Sequence, residues 1–323
     1  VKRILLIHTG GTISMSTDQR TGAVKPTDEH PLHQYGHLFE ENLEIIEEDI
    51  FQLPSPHVTP AEMLLIQKRL MTAGEEGIYD GAVLTHGTDT LEETAYFLDL
   101  TTEAPFPIVL TGAMRTVDEI GSDGVRNLQN AIWTALSEDA FDKGVLVVMN
   151  EEIHTARYVT KTHTTNVATF RTPTFGPIGI VSKHEVRFFQ KLVFTETYPV
   201  DKLTKKVTLL KAYAGMDSTL FDALADSSVD GVVIEALGAG NLPPQTLPGL
   251  KRLLEADIPI VIVSRAFNGI AQDIYAYTGG GKHLKELGVL FAPGLSGPKA
   301  RLKLLILLEH NLTHKEIQDK FLK

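Results

Sequence analysis

The chain contains no cysteine, which removes disulfides, thiolate nucleophiles and sulfur-ligated metals from consideration. No apolar stretch approaches the length of a membrane span, and the apolar run Ile4 to Ile7 behind Lys2 and Arg3 is too short for the core of a signal peptide. Basic runs and aromatic-basic patches are missing too. The 30 lysines and arginines stand against 41 aspartates and glutamates, a formal net charge of −11 that argues against nucleic acid as a partner. Internal repeats with a period of 20 to 50 residues, the mark of solenoid arrays, are absent. What remains is an ordinary globular composition, 43% hydrophobic and 22% charged over 323 residues, expected to form two domains in the cytoplasm, away from membranes.

What is present is a series of short apolar runs with helical segments between them: "RILLIH" (3–8), "GAVLT" (81–85), "FPIVLT" (106–111) and "GVLVVM" (144–149). Continuous rather than alternating runs predict parallel strands buried on both faces. A second series, "VTLLKAY" (207–213), "GVVIEAL" (231–237) and "IPIVIVS" (258–264), follows a charged stretch. The expected architecture is therefore α/β: a larger N-terminal domain (1–187) with a mostly parallel sheet flanked by helices, a linker (188–206), and a smaller C-terminal parallel α/β domain (207–323).

In open α/β sheets ligands sit beyond the carboxyl ends of the strands. Those ends read "HTGGT", "THGTDT", "TGAMR" and "MNEEIH". Glycines beside hydroxyls and an acid suit a small polar ligand better than an extended cofactor, and no cofactor is expected. Neither the dinucleotide fingerprint nor the P-loop pattern fits "HTGGTIS", and "GGGKH" (279–283) lacks the first P-loop glycine and the hydroxyl after lysine. At the first strand end Gly10 and Gly11 permit close backbone approach and deliver the hydroxyl of Thr12.

At the second end Gly87, Thr88 and Asp89 precede an amphipathic helix. Asp89 followed by Glu92 resembles a capping box, and Thr88 and Asp89 read either as caps or as ligand groups at a helix N-terminus. Lys161 stands among Thr160, Thr162, Thr164 and Thr165; by spacing alone it reads as a solvated lysine on a threonine-rich strand. His30, His33 and His37 have helical spacing, but Pro31 and Gly36 interrupt a helix there, so they are assigned to the surface and no metal is expected. The acidic run 40–49 reads as a solvated face.

Taken together, "TGGTI", "HGTDTLEETAYFLDL", "GAMR…SDGVRNLQNA" and "VTKTHTTNVATF" resemble the bacterial L-asparaginase family, threonine-dependent amidohydrolases that include glutaminase-asparaginases. The resemblance runs through most of the chain in the right order. It implies that Thr12 is the nucleophile and that Thr88, Asp89 and Lys161 are the remaining catalytic groups. It further implies that Ser55 binds the substrate α-carboxylate, that Asp89 pairs with its α-ammonium, and that Gly11 and Gly87 line the substrate. By the same resemblance Asn241 of "GAGN" reaches the site of a neighbouring subunit, so a homo-oligomer is expected, a dimer or a homotetramer built as a dimer of dimers. Without that resemblance "GAGN" reads as a plain glycine turn.

Three features depart from many secreted members: Pro56 and His57 replace Gln-Asp after Ser55, Tyr275 falls where a glutamate is usual, and no tyrosine lies between Thr12 and Pro26. A more restrictive site follows, with asparagine preferred and glutaminase activity weak. An unassisted threonine hydroxyl is a poor nucleophile, so a proton relay through Thr88 and Lys161 is one arrangement compatible with these residues. Two rivals remain: the amidase subunit of a tRNA-dependent amidotransferase, which carries an additional N-terminal domain where this chain starts on its first strand, and a non-catalytic amino-acid sensor, which would not require both threonines and the lysine.

Overall fold

The structure, a computed structural model, describes residues 1–18, 21, 24–26 and 42–323. The histidines at 30, 33 and 37 lie outside the described residues. The chain divides into two compact units, Val1–Pro199 and Val200–Lys323.

The strands of the first unit are, in order, β1 (Lys2–His8), β2 (Met15–Thr17), β3 (Val24–Pro26), β4 (Leu43–Asp49), β5 (Gly81–Thr85), β6 (Ile108–Thr111), β7 (Val145–Met149), β8 (Glu152–Thr155), β9 (Thr160–Lys161), β10 (Phe170–Arg171), β11 (Gly179–Ser182) and β12 (Glu185–Phe188). Eight of them form one sheet in the order β12-β11-β8-β7-β6-β5-β1-β4. From β4 to β7 all neighbours are parallel. Beyond β7 the pairing turns antiparallel through β8, β11 and β12.

The reason lies in burial. Every residue of β5, β6 and β7 is buried, as are Ile4 to Ile7 of β1, so these strands need apolar side chains on both faces. On one face Ile4, Leu6, Val83, Val109, Leu146 and Val148 pack with Leu128, Ala131 and Ile132 of a helix. At the rim, β12 alternates between exposed and half-buried positions.

The helices of this unit are α1 (Pro60–Glu76), α2 (Leu91–Thr101) and α3 (Gly124–Leu136). After β1 the chain goes to β4 on one side, whereas β5 lies on the other side of β1 and leads on to β6. The connections from the adjacent strands β1 and β5 thus leave in opposite directions, which opens a crevice between their carboxyl ends. The stretch before Pro199 packs on this first unit: Tyr198 donates its N–H to Leu100 O at 2.5 Å, and Arg157 pairs with Glu196 at 2.5 Å with both side chains largely buried.

The second unit carries β13 (Val207–Lys211), β14 (Gly231–Ala236), β15 (Ile260–Ser264) and β16 (Leu290–Phe291), a four-stranded sheet in sequence order with every pair parallel. Its helices are α4 (Thr219–Ala225), α5 (Leu247–Glu255), α6 (Gly281–Glu286), α7 (Gly297–Glu309) and α8 (His314–Phe321). Val232, Ile234, Ile260 and Ile262 pack with Phe221, Leu250, Leu253 and Leu284 in its core. Among the described residues no helix is long and apolar enough to cross a membrane.

Candidate active site

The crevice is built first from backbone. After β1, Gly10 and Gly11 take φ of 102° and 86°, a region that disfavours any side chain. A Cβ on Gly10 would sit 2.6 Å from both N and O of Leu53, and one on Gly11 would run into the backbone of Gly87. The loops after β1 and β5 are therefore in backbone contact. Thr12, one residue beyond that contact, opens a 3-10 turn (Thr12–Ser14) and is half-buried. The next residue, Ile13, is buried, and Gly124 at the start of α3 leaves room for it.

The second wall is the loop from His86 to Thr90. His86 is fully buried, with Nδ1 2.8 Å from Gly87 O and Nε2 2.9 Å from Thr94 Oγ1. A carbonyl only accepts, so Nδ1 carries the proton and Nε2 accepts from the Thr94 hydroxyl. Burial pushes the imidazole down to about 4, and the neutral ring serves both partners. A trans peptide sets C=O and the following N–H on opposite sides, so a Gly87 carbonyl held by His86 turns the Thr88 N–H the other way.

Ser55 closes this wall. It is buried in a short 3-10 turn (Ser55–His57), and a Cβ on Gly87 would meet its Cβ at 2.7 Å. Its Oγ accepts from the Asp89 N–H at 3.2 Å and its carbonyl accepts from the Thr90 hydroxyl at 2.8 Å. A hydroxyl that accepts from a backbone N–H keeps its own proton to donate elsewhere.

Lys161 arrives from β9, which pairs antiparallel with β10 so that Phe170 faces Lys161. Its Nζ donates to Thr88 Oγ1 at 3.0 Å and to Asp89 Oδ1 at 2.6 Å. The lysine side chain is 15% exposed, against 60% for Asp89. The solvated lysine expected from spacing is thus corrected: tertiary folding brings Lys161 onto groups 72 and 73 residues away. The threonine run is a strand only at Thr160–Lys161 and then becomes a loop, tied by Thr162 N–H and Oγ1 to Thr169 O.

The capping box read from Asp89 and Glu92 is also corrected. Thr90 occupies the N-cap of α2 without a side-chain cap bond. Glu92 Oε1 instead accepts from the Thr160 hydroxyl at 2.9 Å and from the Lys161 N–H at 3.0 Å. The third strand end supports the second from below: a Cβ on Gly112 would sit 2.5 Å from His86 O and 3.3 Å from Thr88 Cγ2.

Thr12, Gly11, Ser55, Gly87, Thr88, Asp89 and Lys161 all lie in the first unit around this crevice. Asn241 belongs to the second, where Leu237 and Asn241 bridge and its Oδ1 accepts from the Gly281 N–H at 3.1 Å. Tyr275 is 46% exposed and stacks on Tyr277, with ring centroids 5.5 Å apart. Two contributors, His86 and Glu92, were not singled out for these roles by the sequence. Their only signal was position, one on each side of the Gly87–Asp89 turn. Among the described residues no group of three or more histidine and acidic side chains could hold a metal ion.

The first unit is thus an open α/β sheet with a lysine bonded to a threonine hydroxyl at its switch point, the class of arrangement in which α/β proteins hold their ligands. Comparison with known proteins narrows that class. Residues 3–194 match the family model described as "Asparaginase, N-terminal", and residues 206–321 match "Glutaminase/Asparaginase C-terminal domain". The chain is 37% identical over 322 residues to the L-asparaginase of Bacillus licheniformis, covering 99% of both. It is 39% identical over 323 residues to a probable L-asparaginase of Deinococcus radiodurans, covering 99% of this chain and 97% of that one. The crystal structure of a probable cytoplasmic L-asparaginase from Campylobacter jejuni superposes with a TM-score of 0.89 at 33% identity, covering all of both chains. The chain belongs to the asparaginase/glutaminase family.

Proposed function

We propose that this protein is an L-asparaginase that hydrolyses L-asparagine to L-aspartate and ammonia, with Thr12 as nucleophile. The observation that carries the reading is the Lys161 Nζ bonded to Thr88 Oγ1 at 3.0 Å in the crevice where Gly11, next to Thr12, abuts Gly87. Family membership supplies the reaction class. Thr12 Oγ attacks the side-chain amide carbon, and its proton passes by way of Thr88 and Lys161 to the leaving nitrogen. Ammonia departs from the acyl-enzyme, and water then attacks the ester and releases aspartate. Backbone N–H groups of the two glycine turns stabilise the oxyanion, in a position such donors serve well.

The substrate α-carboxylate lies at Ser55, whose hydroxyl keeps a proton to donate, near the N-terminus of α2 with its partial positive charge. Its α-ammonium pairs with Asp89, the exposed carboxylate of the set. In the working protein, a homo-oligomer of dimer or dimer-of-dimers form in the cytoplasm, Asn241 of a neighbouring copy completes each site. The test is ammonia release from asparagine by the purified protein and by Thr12→Ala. Turnover by the first and a loss of several orders of magnitude in the second, with unchanged thermal unfolding, is the expected pair of results. Near wild-type turnover by Thr12→Ala removes Thr12 as nucleophile, and binding without turnover by the intact chain makes the protein a sensor.

A further inference from the structure

Lys161 is held at both of its ends by one short stretch of chain. Thr88 and Asp89, at the mouth of α2, take its Nζ. Glu92, in the first turn of α2, takes its backbone N–H at 3.0 Å and the hydroxyl of the preceding Thr160 at 2.9 Å, both on the same Oε1. The strand that delivers Lys161 is only two residues long, Thr160–Lys161, and pairs with an equally short β10. A two-residue ladder fixes position weakly. A long, rotamer-rich lysine reaches a fixed target reproducibly only if its Cα is also fixed.

We propose that Glu92 is a positioning residue for the reaction: it pins the Thr160–Lys161 backbone to the first turn of α2, so that Nζ and its two partners are referenced to one rigid element. The proposal rests on the reading of Lys161 and Thr88 as the proton-transfer pair. Glu92 does not touch the reacting atoms; its work is the distance between the lysine Cα and the Thr88 hydroxyl. A glutamate in a helix's first turn has an ordinary explanation, interaction with the helix N-terminus. That explanation requires a carboxylate anywhere in the turn and does not require the reach of a glutamate.

Two variants separate the explanations. Glu92→Asp keeps the charge and the favourable first-turn acid but retracts the carboxylate by one carbon–carbon bond, so the Lys161 N–H and Thr160 hydroxyl lose it. Glu92→Gln keeps the reach and the accepting oxygen but removes the charge. Steady-state kinetics with asparagine, thermal unfolding, and the parallel variant Lys161→Met complete the experiment. The expected result is a kcat for Glu92→Asp lower by about a hundredfold, the scale of an ångström of misplacement, with KM within about twofold, since uniform binding is untouched. Glu92→Gln recovers most of that kcat, and both variants unfold at nearly the wild-type temperature. The proposal is overturned if Glu92→Asp keeps wild-type kcat, if Glu92→Gln is as impaired as Glu92→Asp, or if the loss sits in KM. It is also overturned if the kcat loss in Glu92→Asp comes with a collapse in thermal stability. If Lys161→Met itself keeps wild-type turnover, the reading of the lysine fails instead, whatever Glu92 does.

Discussion

Lowering the pH from 8 to 5 is expected to remove about 2 kcal/mol of folding stability through one side chain, His86. The imidazole is fully buried and neutral, donating from Nδ1 to Gly87 O and accepting at Nε2 from Thr94. Burial lowers its pKa from 6.5 to about 4. Between those values the unfolded chain binds a proton that the folded chain refuses, so stability rises with pH. The contribution is fully present above 6.5 and is lost as pH falls toward 4. At about 1.36 kcal/mol per pH unit the whole window is worth about 3 kcal/mol, of which about 2 kcal/mol has gone by pH 5. The assay is urea unfolding of the intact protein and of His86→Asn at pH 8 and pH 5, at one protein concentration. Asparagine keeps an amide donor for the Gly87 carbonyl but does not titrate. The lowered carboxylates, Glu48, Asp80 and Glu152 among them, are common to both proteins and cancel in the comparison. The wild-type protein should lose about 2 kcal/mol more than the variant. An equal pH dependence in the two proteins refutes the assignment of a neutral, proton-refusing His86.

Thr88→Val and Lys161→Met should each lower kcat by several orders of magnitude, and the double variant should be little worse than either single one, since groups acting as a unit are not additive; fully additive losses would argue against a relay. Glutamine is one methylene longer than asparagine, a difference worth about 1–3 kcal/mol in a fitted pocket, so kcat/KM for asparagine should exceed that for glutamine, and comparable values for the two amides would show the restrictive site to be wrong. Inactive Thr12→Ala and impaired Asn241→Ala chains, unfolded and refolded together, should regain activity above the sum of the separately refolded parents. With co-assembly demonstrated, no gain rules out a site shared between copies.

By itself the sequence determined which segments are the central strands. "RILLIH", "GAVLT", "FPIVLT" and "GVLVVM" were legible because a strand buried on both faces must be apolar at every position, and that leaves a continuous run. The same logic marked β14 and β15 of the second unit, whereas β13, at the edge of that sheet, is buried only at Val207. The antiparallel elements were not legible: β9 and β10, which pair apart from the main sheet, are two residues each, and β12 at the sheet's rim is half-exposed, so no burial pattern distinguishes them from loop. Glycine and threonine at strand ends marked where the loops after β1 and β5 meet, because positive φ and close backbone approach restrict residue choice locally. What each polar side chain does there was decided only by the tertiary structure. Lys161 looks solvated until folding sets it beside Thr88 and Asp89, and Glu92 looks like half of a capping box until β9 offers it the Lys161 N–H. Local patterns record burial and backbone conformation, which each residue experiences through its own neighbours in the chain. A hydrogen bond between side chains 72 residues apart leaves no such trace, because either partner alone is compatible with water.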